Sequence, residues 1–216
     1  MYIIIIGLGG IGRSLAKIAV AEKHNVMVID RNIERTENMA LKYDLVGITG
    51  DASMLSTLEE ASISEADAVI CTTGDDNVNL MVVLKALELG IKTVTTVVNE
   101  QENIEIFKKT GAIIHKDPDA VVAENIFNSI WRPGINAFTS MAGGKAEIIE
   151  VIIHEGSHAA GKTIQKLGLP SNALIIAIER GDKVIIPEGG TQILPSDSLY
   201  VFARSDVVDV VSSIFQ

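Results

Sequence analysis

The feature that most limits what this chain can fold into is an apolar run that drops directly into a glycine-rich turn. It reads Met1-Tyr-Ile-Ile-Ile-Ile-Gly-Leu-Gly-Gly-Ile-Gly12, and Arg13-Ser-Leu-Ala-Lys-Ile-Ala-Val20 follows. The β-branched run predicts a buried strand and the segment after the turn a helix. Gly7, Gly9 and Gly12 keep the G-x-G-x-x-G spacing. Each glycine answers a physical need, the first a tight turn, the second room for a phosphate, and the third close helix–strand packing. The helix start behind them offers free N–H groups and a positive dipole end to an anion. Context strengthens a motif that is weak alone, because Asn25-Val-Met-Val-Ile-Asp30 reads as a second strand ending on an acid.

Strand and helix patterns alternate as far as residue 116, which predicts a parallel α/β sheet. Strands are expected at Tyr2–Ile6, Val26–Ile29, Leu45–Thr49, Ala68–Thr72, Thr93–Val98 and Ala112–His115. Three of them run into small polar segments, Gly7–Gly12, Gly50–Ser53 and Thr72–Asn77. In an open parallel sheet those carboxyl ends share one edge, where the ligand crevice lies. The fold class is therefore α/β, a Rossmann-like doubly wound parallel sheet. After Pro118 a helix is expected up to Trp131, with Val121, Val122, Ile126, Phe127 and Ile130 on one face and Arg132-Pro-Gly134 ending it. Trp131 reads as a core, hinge or interface residue. Residues 135–145, with Asn136, Ser140, Gly143 and Gly144, read as a linker. From Ala146 to Gln216 the pattern becomes that of a small α+β domain: a strand at Glu147–Ile153, a short helix at Lys162–Leu167, a hairpin over Ala173–Ile186, a strand at Leu199–Ala203 and a closing helix.

Composition narrows the function. The chain has 216 residues and a formal charge of −10, spread over both parts without a basic stripe, and aromatic residues make up only 4%. Nucleic acid and anionic lipid are poor partners for such a surface. No apolar run approaches the ~18–20 residues of a membrane span, and the first residues lack the basic region and cleavage site of a secretion signal. Cys71 is the only cysteine, which excludes an intrachain disulfide and fits a reducing compartment. It is expected to be a buried small apolar residue and not a nucleophile, since no activating base lies near it in sequence.

Asp30 follows the glycines at close to the ~20-residue distance of the acid that binds a ribose diol. Its charge opposes a 2′-phosphate, with Arg31 beside it as a counterweight. Asp51 and Ala52 are placed to meet the base, Ser53 to cap the next helix. Thr73 and Gly74 are placed where backbone approaches the ligand, while Asp75, Asp76 and Asn77 fit a helix cap. A dehydrogenase would need a general acid or base near the nicotinamide. Tyr2, Tyr43 and Tyr200 have no lysine four residues on, and His24, His115, His154 and His158 are scattered. The spacing of His154 and His158 allows a metal pair, but no third ligand is evident.

Gly7-Leu-Gly-Gly-Ile-Gly12, Asp30, Gly50-Asp-Ala-Ser53, Ala66-Asp-Ala-Val-Ile70, Thr73-Gly-Asp-Asp-Asn-Val-Asn79 and Val98-Asn99 together resemble the regulator-of-conductance (RCK, or KTN) domains of potassium transport. Gly161-Lys-Thr-Ile-Gln-Lys-Leu167 and Ile193-Leu-Pro-Ser-Asp-Ser-Leu-Tyr200 resemble their C-terminal companion, the RCK-C or TrkA-C domain. The resemblance covers nearly the whole chain. It implies an RCK-N nucleotide-binding domain with a hinge helix over 1–134, a linker over 135–145 and a TrkA-C domain over 146–216. It also implies a cytoplasmic regulatory subunit of TrkA type, dimeric or in a larger ring. Such a subunit binds NAD(H) or ATP, ADP or AMP beneath a membrane-embedded potassium transporter or channel, and is not an enzyme.

Carried onto this chain, Gly7, Leu8, Gly9, Gly10 and Ile11 would hold phosphates with Gly12 packing behind them. Asp30, with Arg31 beside it, would hold the ribose, Asp51 and Ala52 would meet adenine, and Thr73 and Gly74 would close over the phosphates. Two positions depart from the pattern: Gly10 and Thr96 stand where many relatives carry arginine. Losing both removes charge-assisted bonds to a polyphosphate, which favours NAD, AMP or ADP over ATP. The alternatives are an NAD-dependent oxidoreductase and the cytosolic portion of a potassium channel. Met1 directly before the first strand is the beginning expected of a complete soluble subunit.

Overall fold

Strand β1 (Tyr2–Ile6) is four isoleucines behind a tyrosine, and all four isoleucines are buried. Burial on both faces is what a parallel sheet covered by helices requires. In the computed structural model, which describes residues 1–131, 135–142 and 144–215, β1 is central. It pairs in parallel with β2 (Asn25–Asp30) and with β4 (Ala68–Cys71). The sheet is completed by β3 (Val46–Thr49), β5 (Thr93–Val98) and β6 (Ile113–Lys116), in the order β3-β2-β1-β4-β5-β6. This is the doubly wound dinucleotide-fold order, in which the winding reverses between β1 and β4 and leaves a crevice beyond their carboxyl ends.

Alternate residues of β1 divide between two cores. Ile3 and Ile5 pack with Leu8, Ala16, Val28 and Met39 on one side. Ile4 and Ile6 pack with Ile29, Val69, Val82, Val98 and Phe107 on the other. Helices α1 (Gly10–Ala21) and α2 (Ile33–Lys42) supply the first, and α3 (Leu55–Glu60), α4 (Asp76–Glu88) and α5 (Ile104–Lys108) the second. Cys71 belongs to this second core, and burial pushes its thiol pKa up, so it stays an un-ionised apolar residue.

Helix α6 (Pro118–Trp131) forms where expected. Val121, Val122 and Ile130 on its apolar face are 57%, 56% and 77% exposed, so this chain alone leaves that face in contact with water. The side chain of Trp131 and the expected stop at Arg132-Pro-Gly134 lie outside the described residues.

The segment 135–145, expected to be a linker, instead contains strand β7 (Ile135–Met141), antiparallel to β8 (Ala146–Ile152). Its glycines and polar residues suggested a loop. Pairing with an apolar neighbour satisfied the backbone instead, a tertiary override of composition. The sheet continues through β11 (Ser198–Arg204), β9 (Ala173–Arg180) and β10 (Lys183–Ile185), in the order β10-β9-β11-β8-β7. Helix α7 (Val208–Phe215) adds Val208, Val211 and Phe215 to a core with Ile149, Val151, Ile178, Leu199 and Val201. The helix expected at Lys162–Leu167 is a single 3-10 turn, Ile164–Lys166. The chain divides into two compact units, Met1–Ala120 and Val121–Gln216.

Candidate functional site

The glycine turn leaves β1 with Gly7 at φ +90°, a conformation that only glycine adopts without strain. Gly7 N–H donates to Ile29 C=O, and Thr72 Oγ1 donates to Ile6 and Gly7 C=O (3.1 and 2.8 Å), tying the turn to β2 and to the end of β4. A Cβ at Gly12 would lie 1.8 Å from the Gly7 carbonyl oxygen, so helix and strand meet there with no room for a side chain. Around Gly9 and Gly10 the space is open, with nothing within 4 Å of a Cβ. No hydrogen-bond partner among the described residues takes the N–H groups of Gly9, Gly10, Ile11 or Gly12. They form the start of α1 and remain available to an anion.

Leu8 is placed differently from its neighbours. Its side chain is fully buried in the first core, and its N–H donates to Asp30 Oδ2 at 2.5 Å. Asp30 Oδ1 also accepts from Asn32 N–H at 2.8 Å. The carboxylate at the end of β2 thus braces the glycine turn, and each of its oxygens keeps a second lone pair for a ligand hydroxyl. Arg35 Nη1 lies 3.7 Å from Asp30 Oδ2. Arg35 was missed in the sequence; its signal was its place in the first turn of α2, three residues after Asn32, which caps that helix.

A groove of about 570 Å³ lies over these strand ends. It brings together Gly7, Gly9, Asp30, Arg31, Ala52, Thr73 and Gly74 from the expected set, with Arg35, Asn32, Thr72 and Asp75 added. Leu8, Gly10, Ile11, Gly12 and Asp51 do not line it. Asp51 stands at its rim, paired with Arg31 Nη2 at 2.9 Å. Ser53 does not cap α3, whose N-cap is Met54. Its hydroxyl and N–H both donate to Asp51 Oδ1 instead (2.7 and 2.9 Å). Those bonds, and then Arg31, hold the Asp51 carboxyl at about 2, so it is an ionised acceptor at neutral pH.

On the opposite wall Asp75 caps α4 through Asn77 and Val78 N–H. Asp76 does something the sequence did not suggest. It is nearly buried, and accepts from Asn99 N–H (2.9 Å), Asn99 Nδ2 (2.8 Å), Glu100 N–H (3.0 Å) and Asn103 Nδ2 (2.9 Å). Burial pushes its pKa up, but the hydrogen bonds from Asn103, Asn99 and Glu100 outweigh it and the net shift is downward. A depressed folded value stabilises the protein above the unfolded value of about 3.8 and is lost as the pH falls through the folded value. Urea denaturation at pH 6 should therefore find Asp76→Asn less stable than the parent chain. By pH 3 the difference should have shrunk.

Among the described residues no cluster of three or more histidine, cysteine or acidic side chains could hold a metal ion, and no helix is long and apolar enough to cross a membrane.

Residues 3–122 match the TrkA-N domain and residues 148–216 the TrkA-C domain. Two relatives are named Trk system potassium uptake protein TrkA homolog. The chain is 33% identical to that of Archaeoglobus fulgidus, over 100% of this chain and 50% of the relative. It is likewise 33% identical to that of Pyrococcus abyssi, over 100% of this chain and 98% of the relative. It thus spans half the length of the first and nearly all of the second. Among solved structures, the GsuK channel bound to NAD superposes with a TM-score of 0.65 at 20% identity, over 100% of this chain and 39% of that one, a likeness of fold. GsuK bound to ADP is 29% identical, with a TM-score of 0.50 over 60% of this chain and 33% of that one. Two domain matches in order, together with a relative aligned over nearly its full length, place this chain in the TrkA family of potassium-uptake proteins, built from a TrkA-N and a TrkA-C domain.

Proposed function

We propose that this chain is a nucleotide-sensing regulatory subunit of a potassium uptake system. Its ligand is NAD(H) or an adenine nucleotide, ADP or AMP in preference to ATP. The observation that carries this reading is the set of unpartnered N–H groups at the start of α1, of which that of Gly9 lines the groove together with Asp30. A diphosphate would lie on the glycine turn, the ribose hydroxyls on Asp30, and the base between Ala52 and the Arg31–Asp51 pair. The described groove offers no arginine at Gly10 or Thr96 to meet a third phosphate. Two relatives named for potassium uptake, and GsuK structures named as bound to NAD and to ADP, support the assignment.

Regulation follows from linkage: a nucleotide shifts an assembly only by binding one arrangement more tightly than another. The exposed apolar face of α6 around Val121, Val122 and Ile130 suits a hinge packed in a homodimer or larger ring. Nucleotide would bias the pairing of modules there, and the change would pass to a membrane-embedded transporter or channel on whose cytoplasmic side the subunit docks.

Calorimetric titration with NAD, NADH, ATP, ADP and AMP tests the reading. ADP or NAD should bind, and Asp30→Ala should weaken them by about 1–3 kcal/mol, since a charged acceptor and the brace on Leu8 are lost together. A chain that binds none of the five, or that oxidises a substrate at the expense of its dinucleotide, would refute the proposal.

A further inference from the structure

Thr73, on the α4 side of the groove, has every polar group engaged. Its N–H donates to Asn79 Oδ1 (3.2 Å) and its hydroxyl reaches the same oxygen (2.7 Å). Its carbonyl accepts from Asn79 Nδ2 (3.0 Å) and from Asn99 Nδ2 (3.1 Å). Asn79, in the first turn of α4, is completely buried, and its amide also reaches Val97 C=O (3.4 Å). Asn99 is in turn held by Asp76. The next residue is the opposite case. Gly74 N–H has no partner among the described residues, and a Cβ there would meet nothing within 4 Å.

From this contrast we infer that Asn79 is the positioning residue for the ligand's phosphates: by occupying all of Thr73's polar groups it leaves Gly74 N–H as the donor this wall presents to them. Asn99, in the β5–α5 turn and held there by Asp76 at the start of α4, braces the arrangement. A buried asparagine amide suits this role because it offers donor and acceptor together, so one side chain closes on the N–H and the C=O of the same residue. Fixing the loop before the ligand arrives removes an ordering cost that a mobile loop would add to binding. The inference rests on the nucleotide reading above and assigns the contact within it.

The test uses the full chain and amide-resolved NMR with ADP and with adenosine, which shares base and ribose but has no phosphate. Without ligand, Thr73 N–H should exchange slowly and Gly74 N–H fast. Saturating ADP should shift the Gly74 amide and slow its exchange, and adenosine should not. Asn79→Leu keeps roughly the shape but removes both the acceptor for Thr73 N–H and the donor to Thr73 C=O; it should free Thr73 exchange and weaken ADP ~10-fold while adenosine binding stays within about twofold. If Asn79→Leu fails to fold, Asn99→Ala removes only the outer brace and should weaken ADP about threefold with the same selectivity. A Gly74 amide indifferent to ADP overturns the inference. So do unchanged ADP binding in the variants and an equal loss of ADP and adenosine, which marks a merely structural role. If the parent chain binds neither ADP nor NAD, it is the nucleotide reading itself that fails.

Discussion

Gly12→Ala is expected to abolish nucleotide binding and to destabilise the first unit by about 2–3 kcal/mol or more, the upper range for overpacking a closed site. The added methyl would lie 1.8 Å from the Gly7 carbonyl oxygen, 2.7 Å from Thr72 Oγ1 and 2.9 Å from Gly7 carbonyl carbon. Two of those neighbours are backbone and cannot swing aside. The turn must therefore open, and opening it breaks the bonds from Thr72 Oγ1 to Ile6 and Gly7 that tie β4 to the glycine loop. The free N–H groups at the start of α1 then lose their shared direction. Urea denaturation and calorimetry with ADP check both halves. Gly9→Ala is the control in the same experiment: its φ of −66° suits alanine and its methyl meets nothing, so stability should hold while a phosphate is kept away. Equal stability of the Gly12→Ala and parent chains would show that the turn is looser than its contacts imply.

The second large effect belongs to the other unit. Asp197 is fully buried, and Arg180 grips it with Nε on Oδ1 (2.7 Å) and Nη2 on Oδ2 (2.8 Å) while also donating to Gln192 C=O. Leu194 N–H supplies a further bond at 2.8 Å. Burial pushes the Asp197 pKa up, and the bonds from Arg180 and Leu194 outweigh it, leaving a net downward shift. Arg180→Ala strands this carboxylate in the protein and is expected to cost about 3 kcal/mol, near the lower end for breaking a buried pair because the arginine itself reaches solvent. Part of the loss should return in Arg180→Ala/Asp197→Asn, where no buried charge remains. ADP affinity should be unchanged in both, since neither residue lies in the groove. Denaturation followed by circular dichroism, with calorimetry alongside, measures the pair. A single variant as stable as the parent would mean that water solvates Asp197 once the guanidinium is gone.

Those two sites also mark how far the chain can be read before it folds. The Gly7–Gly12 spacing, the β-branched run ahead of it and Asp30 are local patterns, each set by backbone needs within a few residues. They were enough to specify the parallel sheet, the edge where its strands end and much of the lining of the groove there. Leu8 shows where local spacing stops: it sits inside the motif, yet its side chain is core and its N–H belongs to Asp30. The Asp75-Asp76-Asn77 run looked like one cap, and only Asp75 serves as one.

Fold class, the order of the TrkA-N and TrkA-C domains and the glycine turn itself were all legible in the unfolded chain, because hydrophobic period and glycine placement act over short stretches. Which polar groups are already spent, and which remain for a ligand, emerged only once the elements had packed. Asp76 meets Asn99 and Asn103, Asn79 closes on Thr73, Arg180 reaches Asp197, and β7 joins β8, in each case through pairings that depend on where separate elements come to lie. A buried donor or acceptor must find a partner wherever folding brings one. That requirement acts through space, and no spacing along the chain records it.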